Sequence, residues 1–444
     1  MNVSNVQSRD LKVNWHPCMQ MKDFELIPPL TIQSAQQEWL IDPSGQRYVD
    51  ATSSWWCKSL GHGHPRLKAA LTQQMESFEH VLYANTTYEV IVELSERLVN
   101  LMPHFSRVLY ASDGSCAVEM AVKMSLQSQA IRGRAQRTGL AALSGGYHGE
   151  TILAMALSDC PLYTRPFEAV LPEVHIIPNI PYVHDLSEPL ALDASQVWAQ
   201  ALETLTPLSD TLACIIFEPI VQGAGGIRFY SPDFLKRLCE WAQTQGIDVI
   251  ADEIMTGFGR TGRMFASEYA EIKPDFMCLG KGLTAGMLPM SAVLTTPQQY
   301  EYFYDTYASG RAFLHSHTHT GNALCAAVAL ETLKIMEDEQ VLKGMGTLSA
   351  QLKEGLTHIA SETGVLSHLR VLGGVAAAAL NLPGERVGFK LGGLARHHGV
   401  LLRPLGNTIY WMPPLTISQP GVQALTEGTL NAIHQLMQSH EKIA

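Results

Sequence analysis

Two ionisable residues stand at the ends of short apolar runs. Asp252 closes the run 247–251, and Lys281 follows the run 276–279 inside Gly280-Lys281-Gly282. Unbroken apolar runs of this length read as strands buried on both faces. Open α/β sheets gather their chemistry outside the carboxyl ends of the strands. A lysine amine there becomes a nucleophile once burial lowers its proton affinity. A carboxylate beside it can hold a protonated ring nitrogen. Alone, either residue reads equally as a surface lysine in a turn or a helix-capping aspartate.

Taken together, the pair suggests a pyridoxal phosphate site. Lys281 would be the Schiff-base lysine and Asp252 the partner of the pyridine nitrogen. Other stretches could complete it. Ser112-Asp113-Gly114-Ser115 lies between a strand-like and a helix-like segment, where backbone amides bind phosphate. It reads equally as an ordinary N-cap. Tyr147, in Gly145-Gly146-Tyr147-His148-Gly149, could stack on a planar ring or be a loop tyrosine. Residues 257–262 spell GFGRTG, a literal GxGxxG, but the string neither follows a strand directly nor opens a helix, so a dinucleotide site is not expected. Arg260 within it could fork a substrate carboxylate. Arg403, before Pro404, is either a second carboxylate clamp or a surface arginine. His315, His317 and His319 alternate and would share one face of a strand, yet no nearby carboxylate or cysteine completes a metal set, so no metal is expected.

These residues need a framework. Strand-like runs at 108–111, 140–143, 174–177, 212–217, 247–251, 276–279 and 290–294 alternate with helical stretches, which predicts a largely parallel sheet covered on both faces. Residues 1–30 read as an irregular arm, and 32–50 as a β-meander. After about 321 helical patterns dominate, with short strands near 376–380 and 409–412 and a terminal helix. The expected division is an arm and meander over 1–60, a large domain over 61–330 and a smaller α+β domain over 331–444.

Composition narrows the partners. The net charge of −11 argues against nucleic acid. No apolar run reaches the ~18 residues of a membrane span. No secretory h-region opens the chain, and the eight cysteines form no CxxC pair, so reduced thiols and a cytoplasmic setting are expected.

From Trp15 to its end the chain resembles class III aminotransferases of pyridoxal-phosphate fold type I. The resemblance rests on WHP at 15–17, SSWW at 53–56, GGYHGET at 145–151, FEPIVQGAGG at 217–226, ADEIMTGFGRTGRMFA at 251–266, LGKGLTAG at 279–286 and RPLGNTIYWMPPL at 403–415. SSWW and the last block favour the branch that aminates 8-amino-7-oxononanoate in biotin synthesis. Another branch, acting on ornithine, 4-aminobutyrate or a diamine, is the alternative. A non-enzymatic regulator on the same fold is a remote one.

The resemblance implies a seven-stranded-type sheet, a homodimer with active sites at the subunit interface, and roles for named residues. Lys281, Asp252 and Tyr147 would be catalytic. Gly114, Ser115, Tyr147, His148, Glu218, Asp252, Lys281 and Thr318 would bind the cofactor, Thr318 from the other subunit. Trp55, Tyr147, Arg260, Lys281, Ser316 and Arg403 would contact substrates. The chain departs from the family pattern at Cys18, where a tyrosine is usual, and in SDGS. The segment HSHTHTGN at 315–322 leans towards lysine as amino donor rather than S-adenosylmethionine.

Overall fold

The apolar runs do form the strands of one sheet. The computed structural model describes residues 3–441. Seven strands lie in the order Arg107–Ala111, Ser291–Thr295, Phe276–Leu279, Asp248–Asp252, Leu212–Phe217, Gly139–Leu143, His175–Ile177. Neighbours from Phe276–Leu279 to His175–Ile177 run parallel. Ser291–Thr295 is antiparallel to both of its neighbours.

Strand geometry sends alternate side chains to opposite faces. Ile215, Phe217, Val249 and Ala251 join a core under the helix Pro232–Thr244. Cys214, Ile216 and Ile250 join another under Gly114–Ile131. Burial on both faces is why these strands carry no polar alternation.

The strand Asp248–Asp252 has an acid at each end. Asp248 is buried at the amino end, where Arg132 (2.9 Å), Ser125 (2.6 Å) and Gln299 (2.9 Å) all donate to it. That acid is fully engaged in packing. Asp252, at the carboxyl end, opens towards a cavity.

The amino-terminal segment is more regular than expected. Val3–Val13 is a helix and Met21–Glu25 a 3-10 turn, with Asp23 clamped by Nη1 and Nη2 of Arg386 (2.8 and 2.6 Å). The polar composition hid this helix, because few apolar residues mark its one apolar face. The meander Ser34–Gln36, Trp39–Ile41, Arg47–Asp50 gains a fourth, parallel strand, Val400–Leu401. Near the carboxyl end Leu366–Leu372, Val375–Leu380 and Thr408–Trp411 form an antiparallel sheet. The helix Ala323–Asp338 runs unbroken through residue 331 and packs on Pro65–Met75 and Glu89–Leu101. A domain edge placed at 331 therefore cuts a continuous, buried helix. No helix among the described residues is long and apolar enough to cross a membrane. All eight cysteines are free thiols, and Cys214, Cys239, Cys278 and Cys325 are buried.

Candidate active site

A cavity of about 590 Å³ opens at the carboxyl ends of the sheet strands. Lys281 enters it two residues after Phe276–Leu279, Asp252 from the end of the next strand, and Glu218 directly after Leu212–Phe217. Gly114, Ser115, Tyr147 and His148 complete the same wall. Sequence positions up to 167 apart thus meet because parallel strands all end on one side.

Burial pulls the Lys281 amine below its ordinary proton affinity, while Asp252 and Glu218 pull the other way. Its Nζ sits 5.0 Å from the ring centre of Trp56. Asp252 is held by His148, whose Nδ1 lies 2.7 Å from Oδ2. The amide of Ile254 donates to Oδ1 at 3.2 Å. Glu218 accepts from the amides of Tyr147 (3.0 Å) and Gly223 (2.8 Å). Burial nevertheless pushes its carboxyl up to about 7. Burial also raises the Tyr147 phenol, which donates to Glu150 at 2.8 Å.

Gly114 and Ser115 form the first turn of an 18-residue helix, where amides have no intrahelical acceptor. Asp113 caps that helix through the amide of Cys116 (3.1 Å). Its carboxylate is thereby occupied, and the preceding amides are left to an anion. Ser115 Oγ accepts from the amide of Glu150 (3.1 Å), which draws the 145–150 loop over the helix start. Gly149, at φ +131°, permits this approach, since a Cβ there would collide with Ser115.

The donor set therefore suits a flat anionic carbonyl compound. It has an amine, a buried carboxylate braced by a histidine, an aromatic residue and a helix start free for a phosphate.

Several expected residues lie elsewhere. Arg260 is buried, but its Nη1 donates to the carbonyl oxygens of Gly374 (3.1 Å) and Pro413 (2.7 Å), and it does not line the cavity. Nη1 braces the GFGRTG loop against the carboxyl-terminal sheet, while Nη2 is buried without a partner among the described residues. Trp55 is 41% exposed and stands outside the cavity; Trp56 lines it. Arg403 lies over the Trp55 ring, 4.2 Å from its centre. Ser316 and Thr318 are exposed, and the Thr318 carbonyl accepts from His80 (2.8 Å), so neither reaches this chain's own cavity. The histidines at 315–319 lie in an irregular segment: His315 faces His317 (3.1 Å), while His319 packs on His80.

The class III aminotransferase family model matches residues 21–433. The chain is a class III aminotransferase. It is 38% identical over 438 residues to the adenosylmethionine-8-amino-7-oxononanoate aminotransferase of Helicobacter pylori, covering 97% of this chain and 98% of that one. The enzyme of the same name from Geobacter sulfurreducens is 35% identical, covering 95% of each. Among solved structures, the Methanocaldococcus jannaschii enzyme of that name superposes with a TM-score of 0.89 at 28% identity, over 97% of this chain and 99% of that one. An omega transaminase from Pseudomonas jessenii in complex with PMP gives 0.89 at 27% identity, over 98% of each.

In this aminotransferase one feature of the site had no signal in composition or spacing. Ser53, Ser54, Trp55 and Trp56 all have positive φ (47°, 48°, 75° and 71°). They make one left-handed helical turn, closed by Trp56 N to Thr52 O (2.7 Å) and Cys57 N to Ser53 O (3.0 Å). L-residues resist this conformation by about 1–2 kcal/mol each. The turn explains why Trp56 rather than Trp55 reaches the cavity.

Proposed function

We propose that this aminotransferase binds pyridoxal 5′-phosphate and transfers an amino group from S-adenosylmethionine to 8-amino-7-oxononanoate, giving 7,8-diaminononanoate for biotin synthesis. When bound, the cofactor supplies an electron-withdrawing ring that takes up the charge left as the reacting carbon loses its proton.

The chain's residues would divide the remaining work. Lys281 anchors the cofactor through its amine and then carries the proton to and from the reacting carbon. Its lowered proton affinity favours the free base that both tasks need. Asp252 keeps a positive charge on the ring nitrogen, and His148 keeps Asp252 aimed. Tyr147 covers the ring, with its backbone pinned by Glu218. The amides of Gly114 and Ser115 hold the phosphate.

Thr318 of the partner subunit is assigned to the same phosphate, and Ser316 to the substrate, in a homodimer. Their exposure supports this, as does the exposed apolar surface of Leu82, Tyr307 and Leu314.

The observation that carries the choice of acceptor is Arg403. No carboxylate pairs with it among the described residues, and it rests on Trp55, outside the lining of the Lys281 cavity. A cation set apart from the amine suits a long acceptor with a terminal carboxylate. The names of the Helicobacter pylori and Geobacter sulfurreducens relatives support the same acceptor, and they favour S-adenosylmethionine over lysine as donor. The test is an assay with purified protein and cofactor, offering each donor with 8-amino-7-oxononanoate. Product with S-adenosylmethionine supports the reading; product with lysine alone reassigns the donor.

A further inference from the structure

The left-handed turn touches both ends of the proposed site. Trp56 lies against Lys281, and its Nε1 donates to the Tyr410 hydroxyl (3.2 Å). Trp55, the residue before it, carries Arg403 on its ring. In a right-handed turn or a strand these adjacent side chains would leave the backbone differently, and one contact would be lost.

Side-chain bonds hold the turn in place. Ser54 Oγ donates to Asp50 Oδ2 (2.7 Å), and His62 Nε2 lies 2.9 Å from the same oxygen. Asp50 is fully buried at the end of Arg47–Asp50. Ser53 Oγ donates to the Met412 carbonyl (2.7 Å), tying the turn to the strand that precedes Pro413. On its other side Cys57 packs on Gly286, five residues after Lys281; a Cβ at Gly286 would lie 2.7 Å from the thiol sulfur. The turn therefore meets the lysine loop and the carboxyl-terminal sheet at once.

We propose that Asp50 and Ser54 are positioning residues that hold a strained turn so that Trp56 confines Lys281 while Trp55 presents Arg403 to the acceptor's carboxylate. The second half rests on the function proposed above. Neither residue touches the reacting atoms; both act through the tryptophans.

The test compares Ser54→Ala with Ser54→Asn in the holoenzyme. Alanine removes the donor to Asp50 and tolerates positive φ poorly. Asparagine accepts that conformation and carries a donor. Calorimetric binding of nonanoate, a carboxylate with no group to react, reads the Arg403 end without turnover. The expected result is nonanoate affinity and acceptor KM each weakened about tenfold in Ser54→Ala, the loss expected for one hydrogen bond to a charged group. Donor KM changes less than about twofold, and Ser54→Asn recovers most of the loss. Should Ser54→Ala not fold, Ser54→Gly makes the same comparison, since glycine takes the turn freely but lacks the hydroxyl. Nonanoate affinity unchanged in a folded Ser54→Ala or Ser54→Gly protein overturns the proposal, as does wild-type holoenzyme that binds no nonanoate. If nonanoate binding depends on Ser54 but 8-amino-7-oxononanoate is not turned over, the turn's role stands and the assignment of the acceptor falls.

Discussion

His148 Nδ1 lies 2.7 Å from Asp252 Oδ2, and both side chains are buried. The other ring nitrogen, Nε2, is buried without a partner. The imidazole thus serves Asp252 alone within the described residues. Replacing it by phenylalanine keeps a planar ring, somewhat larger than imidazole, and leaves a buried carboxylate short of one donor. His148→Phe is expected to lower kcat/KM by about 10- to 100-fold and to release the cofactor more readily on dialysis. Wild-type retention and rate in the variant would show that Asp252 does not need the brace.

Lys281 is expected to be irreplaceable. Lys281→Ala removes both the anchoring amine and the proton carrier, so kcat should fall by at least about 10²–10⁴-fold. Lys281→Arg should not restore it, because a guanidinium stays protonated and cannot take the proton back. Single-turnover measurements with either variant decide the point; normal turnover in Lys281→Ala would remove the lysine from the mechanism.

Glu218 gives a pH prediction. Burial raises its carboxyl from the ordinary 4.5 to about 7 in the folded chain. Between those values the folded protein keeps a proton that the unfolded chain gives up. Stability from this group is present below about pH 4.5 and lost as pH rises through about 7, by up to about 3 kcal/mol. Glu218→Gln should lack that loss. Denaturant midpoints of the cofactor-free proteins at pH 5 and pH 8 should therefore diverge less for the variant than for the wild type. Equal pH dependence would mean that Glu218 ionises without cost.

Gly149 is where the loop bearing Tyr147 crosses the helix start. Its φ of +131° and the proximity of Ser115 leave no room for a side chain. Gly149→Ala should destabilise the protein by about 1–3 kcal/mol through backbone strain alone and weaken phosphate binding further. A thermal midpoint within error of wild type would show that the loop shifts freely.

Much of the framework could be read from residues alone, since buried parallel strands advertise themselves as apolar runs. Both acids of Asp248–Asp252 border the same run, however, and only the fold shows that Asp248 is spent on Arg132 while Asp252 faces the cavity. The carbonyl contacts of Arg260 were hidden for a related reason. Its acceptors, the Gly374 and Pro413 carbonyls, are 114 and 153 residues away and leave no trace in the local string. Trp55 and Trp56 could not be told apart, because which indole points inward depends on a left-handed turn that no propensity predicts. The helix Val3–Val13 escaped because its polar composition reads as a surface arm, although its few apolar residues share one face. Thr318 and Ser316 are exposed, in keeping with proposed partners on another subunit, which no local string records.

This class III aminotransferase is proposed to use 8-amino-7-oxononanoate as its acceptor, with Arg403 holding the carboxylate. The most direct measurement is a competition assay. Purified wild-type and Arg403→Met proteins, loaded with pyridoxal 5′-phosphate, receive S-adenosylmethionine and 8-amino-7-oxononanoate, with products followed by mass. In parallel, ornithine and 4-aminobutyrate are each offered as donors to a common keto acid. The expected outcome is 7,8-diaminononanoate as the dominant product, and an acceptor KM raised about 10- to 100-fold by Arg403→Met with little change for the donor. Faster turnover of ornithine or 4-aminobutyrate, or an acceptor KM indifferent to Arg403, would contradict it.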